Sequence, residues 1–320
     1  MINWVLDALP STSFKVVIAD SESIKDDISE QTKFVFQKPQ EGILHTISQA
    51  RNGGQQYSDV LIINGDMPLI TNQTLKAAYE LHTSSKNTAT ILTATMGNYT
   101  DGYRIVRDKH GSINKVITLN KKPSSPAPTY EISPGAYFIR AGQFYSATKA
   151  VVAKDNSCNN YFKKIIEYLI KNNEQVGTFN VEDNSELMSI NDRQELSLAN
   201  EVMRMRIIKS HMKKGVTFIS PETAHIGGDV VIVCDTIIMP NTIIQGKTTI
   251  GKASIIGPNS NVVNCLVGDN VEINCSVVMS SKVGNNTHIG PFAYIRPACD
   301  IGENFKIGDF VEEKDSVIKD

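Results

Sequence analysis

Beyond residue 215 the apolar positions fall into a period of six. Ile226, Ile232, Ile238, Ile244, Ile250, Ile256 and Val262 share one register. Val267 and Ile273 continue it after a shift, and Val283, Ile289, Ile295, Ile301 and Ile307 after another. Four places after most of these stands a small or β-branched residue, first Thr236, Thr242, Thr248, Ser254 and Ser260, later Thr287, Ala293, Cys299 and Val311. An α-helix needs a period near 3.6 and a half-buried strand a period of two, so a hexad fits neither. It fits short strands that each send one aliphatic side chain inward and then turn through small residues such as Gly251, Gly268, Gly284 and Gly302. One hexad cannot bury its apolar face alone, but stacked triangular coils can. The pattern predicts a β-helix over residues 215–320.

Residues 1–192 follow a different rhythm. Apolar strand-like runs at Lys15–Ala19, Lys33–Phe36, Val60–Ile63, Thr88–Thr93 and Ala136–Ile139 alternate with helix-like runs at Ile43–Arg51, Gln73–His82, Phe144–Ala153 and Tyr161–Lys171. Such alternation predicts an α/β sheet covered by helices on both faces. A helix from Arg193 to about Lys213, with Leu198, Val202, Met205, Ile208 and Met212 as its apolar stripe, is expected to link the two parts across 193–214.

Composition narrows the function classes. A net charge of −2 on 320 residues provides no field to attract nucleic acid or acidic membranes. The N-terminal Met1-Ile2-Asn3-Trp4 stretch lacks the basic region of a secretory signal, and no run is long enough for a membrane span. The five cysteines, Cys158, Cys234, Cys265, Cys275 and Cys299, make no C-x-x-C pair, which predicts reduced thiols and a cytoplasmic setting. Cys234, Cys265 and Cys299 sit among apolar residues and are expected to fill the core.

The candidate chemistry starts at Asn64-Gly65-Asp66-Met67-Pro68-Leu69, where an apolar strand ends in Gly-Asp and turns at a proline. In α/β sheets ligands bind beyond the carboxyl ends of the strands. A carboxylate placed there, Asp66, is suited to Mg²⁺ on nucleotide phosphates. The same residue could instead cap the helix near Asn72 or close the turn.

Taken together, the Gly-Asp-x-Pro-Leu turn, the linking helix and the hexads resemble the bacterial bifunctional N-acetylglucosamine-1-phosphate uridylyltransferase/glucosamine-1-phosphate N-acetyltransferase family. Further matching segments are Gln37 through His45, Arg104-Ile105-Val106-Arg107, Ile190-Asn191-Asp192-Arg193, Gly215-Val216-Thr217-Phe218, Tyr294-Ile295-Arg296-Pro297 and Gly308-Asp309-Phe310-Val311-Glu312. The resemblance implies an incomplete Rossmann-like nucleotidylyltransferase sheet, then a left-handed parallel β-helix that assembles as a homotrimer. It implies an enzyme of UDP-N-acetylglucosamine synthesis, which acetylates glucosamine-1-phosphate with acetyl-CoA and couples the product to UTP with Mg²⁺. By the same resemblance Asp66 and Asn191 stand at the Mg²⁺-ligand positions and Gln37 and Gly42 at uracil-contacting ones. Arg296 and Lys314 stand where the sugar phosphate binds, although as isolated residues they read equally as solvated charges.

The resemblance also marks departures. The family's opening strand and Gly-rich phosphate loop are expected to be missing before Met1, and its catalytic histidine and acetyl-CoA groove to lie beyond Asp320. His288 is expected to be a surface histidine. Tyr103 stands where the family has a glycine facing the sugar, Thr118 where it has a glutamate, and Ser133 where it has an asparagine. A bulky ring at 103 is expected to obstruct the ligand, and the chain to be impaired in both steps. Two other readings remain: a non-catalytic assembly or regulatory subunit of the same architecture, and a nucleotidylyltransferase for another sugar-1-phosphate.

Overall fold

The computed structural model describes residues 1–11, 14–19, 21–28, 32–36, 57–96, 102–119, 129–154 and 160–319. The helix expected over Ile43–Arg51 lies outside them. The chain forms two compact units, Met1–Ala199 and Asn200–Asp320.

In the first unit, β1 (Lys15–Ala19) pairs in parallel with β2 (Thr32–Phe36). A larger sheet holds β3 (Asp59–Ile63), β4 (Ala89–Met96), β5 (Tyr103–Arg107), β6 (Ile113–Thr118), β7 (Tyr130–Ser133), β8 (Ala136–Arg140) and β9 (Val176–Asn180). Its order is β3-β8-β4-β7-β5-β6, with β9 parallel to β4. The helices are α1 (Ile2–Ala8), α2 (Asn72–Ser84), α3 (Ala141–Lys154) and α4 (Tyr161–Lys171). Side chains alternate across a strand, and β8 shows it. Tyr137 and Ile139 enter a core with Phe144, Phe162, Ile165 and Leu169. Ala136 and Phe138 enter another with Met67, Leu75, Ala78 and Leu187. The sequence reading left out α1, β5, β6, β7 and β9. Strands β5 and β6 mix lysine and arginine into half-buried runs, so their apolar pattern is weak.

Arg107 ties this sheet together. Its guanidinium donates to both oxygens of Glu131 at 2.7 and 2.8 Å, to the Gly111 carbonyl at 2.8 Å and to Thr178 at 2.7 Å. The carboxylate beside it raises the already high Arg107 pKa, so the pair stays charged.

The second unit is a left-handed parallel β-helix. Eighteen short strands, β10 (Thr217–Phe218) through β27 (Val317–Ile318), form three parallel six-stranded sheets, each taking every third strand. The hexad aliphatics stack inside in register, Ile226 on Ile244, Val262, Val278 and Ile295. All are buried. The small residues of the hexads form a second buried column. Thr236 Oγ1 donates to the Gly251 carbonyl at 2.8 Å and accepts the Ser254 N–H at 3.3 Å. Ser281 Oγ donates to the Arg296 carbonyl at 2.9 Å and accepts the Cys299 N–H at 3.1 Å. Corners turn at left-handed residues, chiefly asparagines such as Asn241, Asn259, Asn286 and Asn304, a conformation asparagine tolerates through its short polar side chain. Two corners carry Phe292 and Phe310 instead, 58% and 80% exposed and stacked 5.5 Å apart.

Two expectations need correction. Cys265 and Cys299 are buried, but Cys234 is exposed at a corner. Burial pushes the Cys265 thiol up, and its Sγ takes a hydroxyl's place by donating to the Val263 carbonyl at 3.1 Å. The linking helix, α5 (Arg193–Lys213), buries only part of the stripe expected for it. Leu198 is 54% and Met212 38% exposed, whereas Ala199, Ile208 and His211 are buried. Its two ends belong to different units, so no single face is buried along the whole helix. Ile208, with Met205 and Ile207 beside it, joins the β-helix core. Arg204 donates to the Pro221 and Ala224 carbonyls at 2.7 and 3.1 Å, fastening α5 to the first coil.

Candidate functional site

Strand β3 supplies the apolar residues Val60–Ile63 and then releases the chain at Asn64-Gly65-Asp66. Asn64 anchors this turn by donating from Nδ2 to the Pro134 carbonyl at 3.0 Å. The space a Cβ on Gly135 would need is filled by the Asn64 amide, and Gly135 has φ +133°, so only glycine is tolerated there. Beyond the turn, Met67, Leu69 and Ile70 are buried, and α2 begins. Its cap is Thr71, whose hydroxyl accepts the Thr74 N–H at 3.2 Å, while Glu186 Oε2 accepts the Thr71 N–H at 3.0 Å. Asp66 therefore does not cap this helix, and that alternative is set aside.

The half-buried Asp66 is joined instead to the segment before α5. Its carbonyl accepts the Ile190 N–H at 3.0 Å. The next residue, Asn191, is exposed and donates its N–H to Glu195 Oε2 at 2.7 Å. Glu195 in turn donates its N–H to Asp192 Oδ1 at 2.8 Å, so Asp192 caps the start of α5. One backbone hydrogen bond thus brings together the segments that carry Asp66 and Asn191, 125 positions apart in sequence. The pair offers a carboxylate and an amide carbonyl, hard oxygen donors that suit Mg²⁺, which keeps several waters and substrate phosphates as further ligands. Among the described residues no group of three His, Cys, Asp or Glu could hold a metal on its own.

The three departing positions also meet. Tyr103 pairs with Thr118 on β6 and with Ser133 on β7, so one row runs across three strands. Ser133 is fully buried, and Thr118 Oγ1 lies 3.4 Å from Asn160 Oδ1 just before α4. Tyr103 and Tyr161 pack on the core that contains Tyr137. Burial drives the Tyr137 and Tyr161 hydroxyls far above the ordinary tyrosine range, so both stay protonated. Gln37 and Gly42, the uracil candidates, lie outside the described residues.

In the β-helix, Ile295 pairs with Glu313 and the Arg296 N–H donates to the Glu313 carbonyl at 2.8 Å. The same register one residue on sets Arg296 beside Lys314 in the next coil. Arg296 also donates to Glu312 Oε1 at 2.9 Å, an exposed pair of the kind worth about 0–1 kcal/mol that a phosphate can replace. His288 is exposed and pairs with Glu272 at 2.7 Å. No helix among the described residues is long and apolar enough to cross a membrane.

Sequence reasoning missed Asn64, Glu195 and Asn160 as positioning residues. A signal existed for Glu195, since Asp192 and Glu195 have capping-box spacing. None existed for Asn64 and Asn160, whose partners are distant in sequence.

Comparison with known proteins identifies two family models along the chain. The nucleotidyl transferase family model matches residues 10–192, and the bacterial transferase hexapeptide (six repeats) model matches 280–312. The bifunctional protein GlmU of Acetivibrio thermocellus is 39% identical over 100% of this chain and 70% of its own length. The bifunctional protein GlmU of Clostridioides difficile is 37% identical, again over the whole chain and 71% of its own length. That of Enterococcus faecalis is 34% identical over 99% of the chain and 70% of its own length.

Proposed function

Because this chain belongs to the family of bifunctional GlmU proteins, we propose that it serves sugar-nucleotide synthesis, with a uridylyl-transfer site around Asp66 and an acetyl-transfer substrate site around Arg296. The observation that carries the reading is the hydrogen bond from Ile190 to the Asp66 carbonyl, which sets Asn191 beside the Gly-Asp turn. A subunit released from catalysis has no need of both oxygen donors there.

In the uridylyl step the phosphate of a sugar-1-phosphate attacks the α-phosphorus of UTP. A P–O bond to the sugar phosphate forms, the bond to the β-phosphate breaks, and pyrophosphate leaves with the electron pair. Positioning and electrostatics do most of the work in phosphoryl transfer. Asp66 and Asn191 would hold Mg²⁺, which neutralises charge on the phosphates when bound. Asn64 keeps the Asp66 turn in place through Pro134. Gln37 and Gly42 are the base-contacting candidates. In the acetyl step, which supplies the substrate of the uridylyl step, the amine of glucosamine-1-phosphate attacks the thioester carbonyl of acetyl-CoA. A C–N bond forms as the C–S bond breaks, and CoA leaves as the thiol with the amine's proton. Arg296 and Lys314 bind the phosphate dianion. Arg supplies a fork and Lys a point charge. The family product is UDP-N-acetylglucosamine. The exposed, stacked Phe292 and Phe310 offer an apolar surface for assembly through the β-helix into a homotrimer, and cysteines without a C-x-x-C pair favour a cytoplasmic setting.

Calorimetric titration of the full chain with UTP, with and without Mg²⁺, tests the uridylyl reading. Saturable binding that needs Mg²⁺ and is lost in Asp66→Ala is expected, and no binding at millimolar UTP refutes it. Pyrophosphate release from UTP and thiol release from acetyl-CoA measure how much turnover the chain retains, and impaired rates are expected.

A further inference from the structure

We infer that Glu186 is a positioning residue of the uridylyl site: its buried carboxylate, acting through the Thr71 N–H, seats the turn that carries Asp66 against the segment that carries Asn191. The inference rests on the uridylyl reading and deepens it.

The turn over residues 66–71 is held at both ends by one short stretch, residues 186–190. At one end the Ile190 N–H donates to the Asp66 carbonyl at 3.0 Å. At the other the Thr71 N–H donates to Glu186 Oε2 at 3.0 Å. Between the two bonds Leu187 is fully buried and packs in one core with Met67 and Ile70. A single hydrogen bond lets a turn pivot about it. Two bonds at opposite ends, with a packed side chain between them, fix its orientation. Asn191 follows Ile190 directly, so the reach between its amide and the Asp66 carboxylate depends on how this clamp seats the turn.

The source of the acceptor oxygen is what separates positioning from simple capping. In a capping box, a glutamate three residues into the helix accepts the N–H of the cap residue. Here Thr71 is the cap and that third position is Thr74, while the oxygen comes from Glu186, 115 positions away. A glutamate at 74 would serve the helix start as well, but it would not tie that start to the segment before Asn191. Glu186 is only 7% exposed, and a carboxylate is costly to remove from water. The Thr71 N–H and the positive end of the α2 dipole offset that cost. Its backbone is set beforehand. It lies in the 3₁₀ turn Asn184–Leu187, where its N–H donates to the Asp183 carbonyl at 2.9 Å and Asp183 Oδ1 accepts the Ser185 N–H at 3.0 Å.

Equilibrium binding tests this without requiring turnover. The full chain is titrated with UTP in Mg²⁺ and in EDTA, and the ratio of the two affinities is read beside the urea midpoint. The variants are Glu186→Ala, Glu186→Gln and the double variant Glu186→Ala/Thr74→Glu. Glu186→Ala is expected to lower the ratio about tenfold or more, the usual scale for a group that orients a metal ligand, with the affinity in EDTA unchanged. Glu186→Gln keeps an oxygen for the Thr71 N–H and should keep the ratio. The double variant restores the cap locally, so it should recover the urea midpoint but not the ratio. Glu186→Met, which keeps the bulk without the acceptor, replaces the alanine variant if that one fails to unfold cooperatively in urea. A ratio in Glu186→Ala within about twofold of wild type overturns the inference. So does a Gln variant that falls as far as the alanine one, or a double variant that recovers the ratio together with the midpoint. Wild type without Mg²⁺-dependent UTP binding would instead overturn the uridylyl reading, and the inference with it.

Discussion

Replacing Ser276 by alanine should expose how much of the β-helix depends on its buried hydroxyl column. Ser276 is 1% exposed. Its Oγ donates to the Asn274 carbonyl at 2.6 Å and accepts the Ala293 N–H at 3.1 Å, from the next coil. Alanine removes both partners, and the neighbouring coils have no other group at that place. An unsatisfied buried N–H costs about 1–3 kcal/mol and the lost bond to the carbonyl about 0.5–1.5 kcal/mol, so the sum is about 2–4 kcal/mol. With a urea slope of about 2 kcal/mol per molar, the midpoint for this unit should fall by about 1–2 M. Ser316→Ala is the control. Ser316 makes the same local bond, to the Lys314 carbonyl at 2.8 Å, but in an exposed setting, and surface changes of that kind usually stay within about 0.5 kcal/mol. Urea unfolding followed by circular dichroism gives the energies, and hydrogen exchange of the Ala293 amide locates the effect. A loss below about 0.5 kcal/mol in Ser276→Ala, with Ala293 still protected, would show that the column does not bear on stability.

Other expectations follow from the same contacts. Asn191→Ala should weaken Mg²⁺-dependent UTP binding without moving the urea midpoint, because Asn191 is exposed and its backbone cap remains; titration with and without the metal checks this. Arg204→Ala leaves the Pro221 and Ala224 carbonyls without their charged donor, and hydrogen bonds to charged groups are worth about 1.5–3 kcal/mol each, so unfolding of the second unit should come markedly earlier in urea. Gly135→Ala should distort the Asp66 turn, since the residue is at φ +133° against the Asn64 amide; reduced UTP affinity together with lower stability is the expected readout. His82 is buried, its Nε2 donating to Asp59 Oδ1 at 3.2 Å and its Nδ1 accepting from the Thr90 hydroxyl at 2.9 Å. Burial lowers its pKa despite Asp59, so the unfolded chain binds the proton first as pH falls below about 6.5. Stability should therefore decline from that pH downwards to the depressed folded value, and urea midpoints for His82→Asn should show a flatter profile over that window.

Much of the second unit was legible because its contacts recur. A hexad places each aliphatic directly over the one a coil earlier, so spacing along the chain translates into stacking, and Ile244, Ile250 and Ile256 are buried as their positions require. The linking helix shows the limit of such reasoning. Its apolar spacing indicated a helix, yet which face is buried depends on two separate units, and Leu198 and Met212 are left in solvent. Cys234 failed for a similar reason: its apolar neighbours belong to a corner rather than to an inward strand position.

The sequence alone determined the helical coil, the order of elements such as β1, β3 and α4, and the residue types available for phosphate chemistry. Those depend on local spacing and on side-chain identity. Only the tertiary structure decided that Thr71 rather than Asp66 caps α2, that Asn191 stands beside the Asp66 turn, and that Tyr103, Thr118 and Ser133 form one row. Each of these is a pairing between segments far apart along the chain, made through backbone hydrogen bonds that every residue type can form, so no residue pattern announces it.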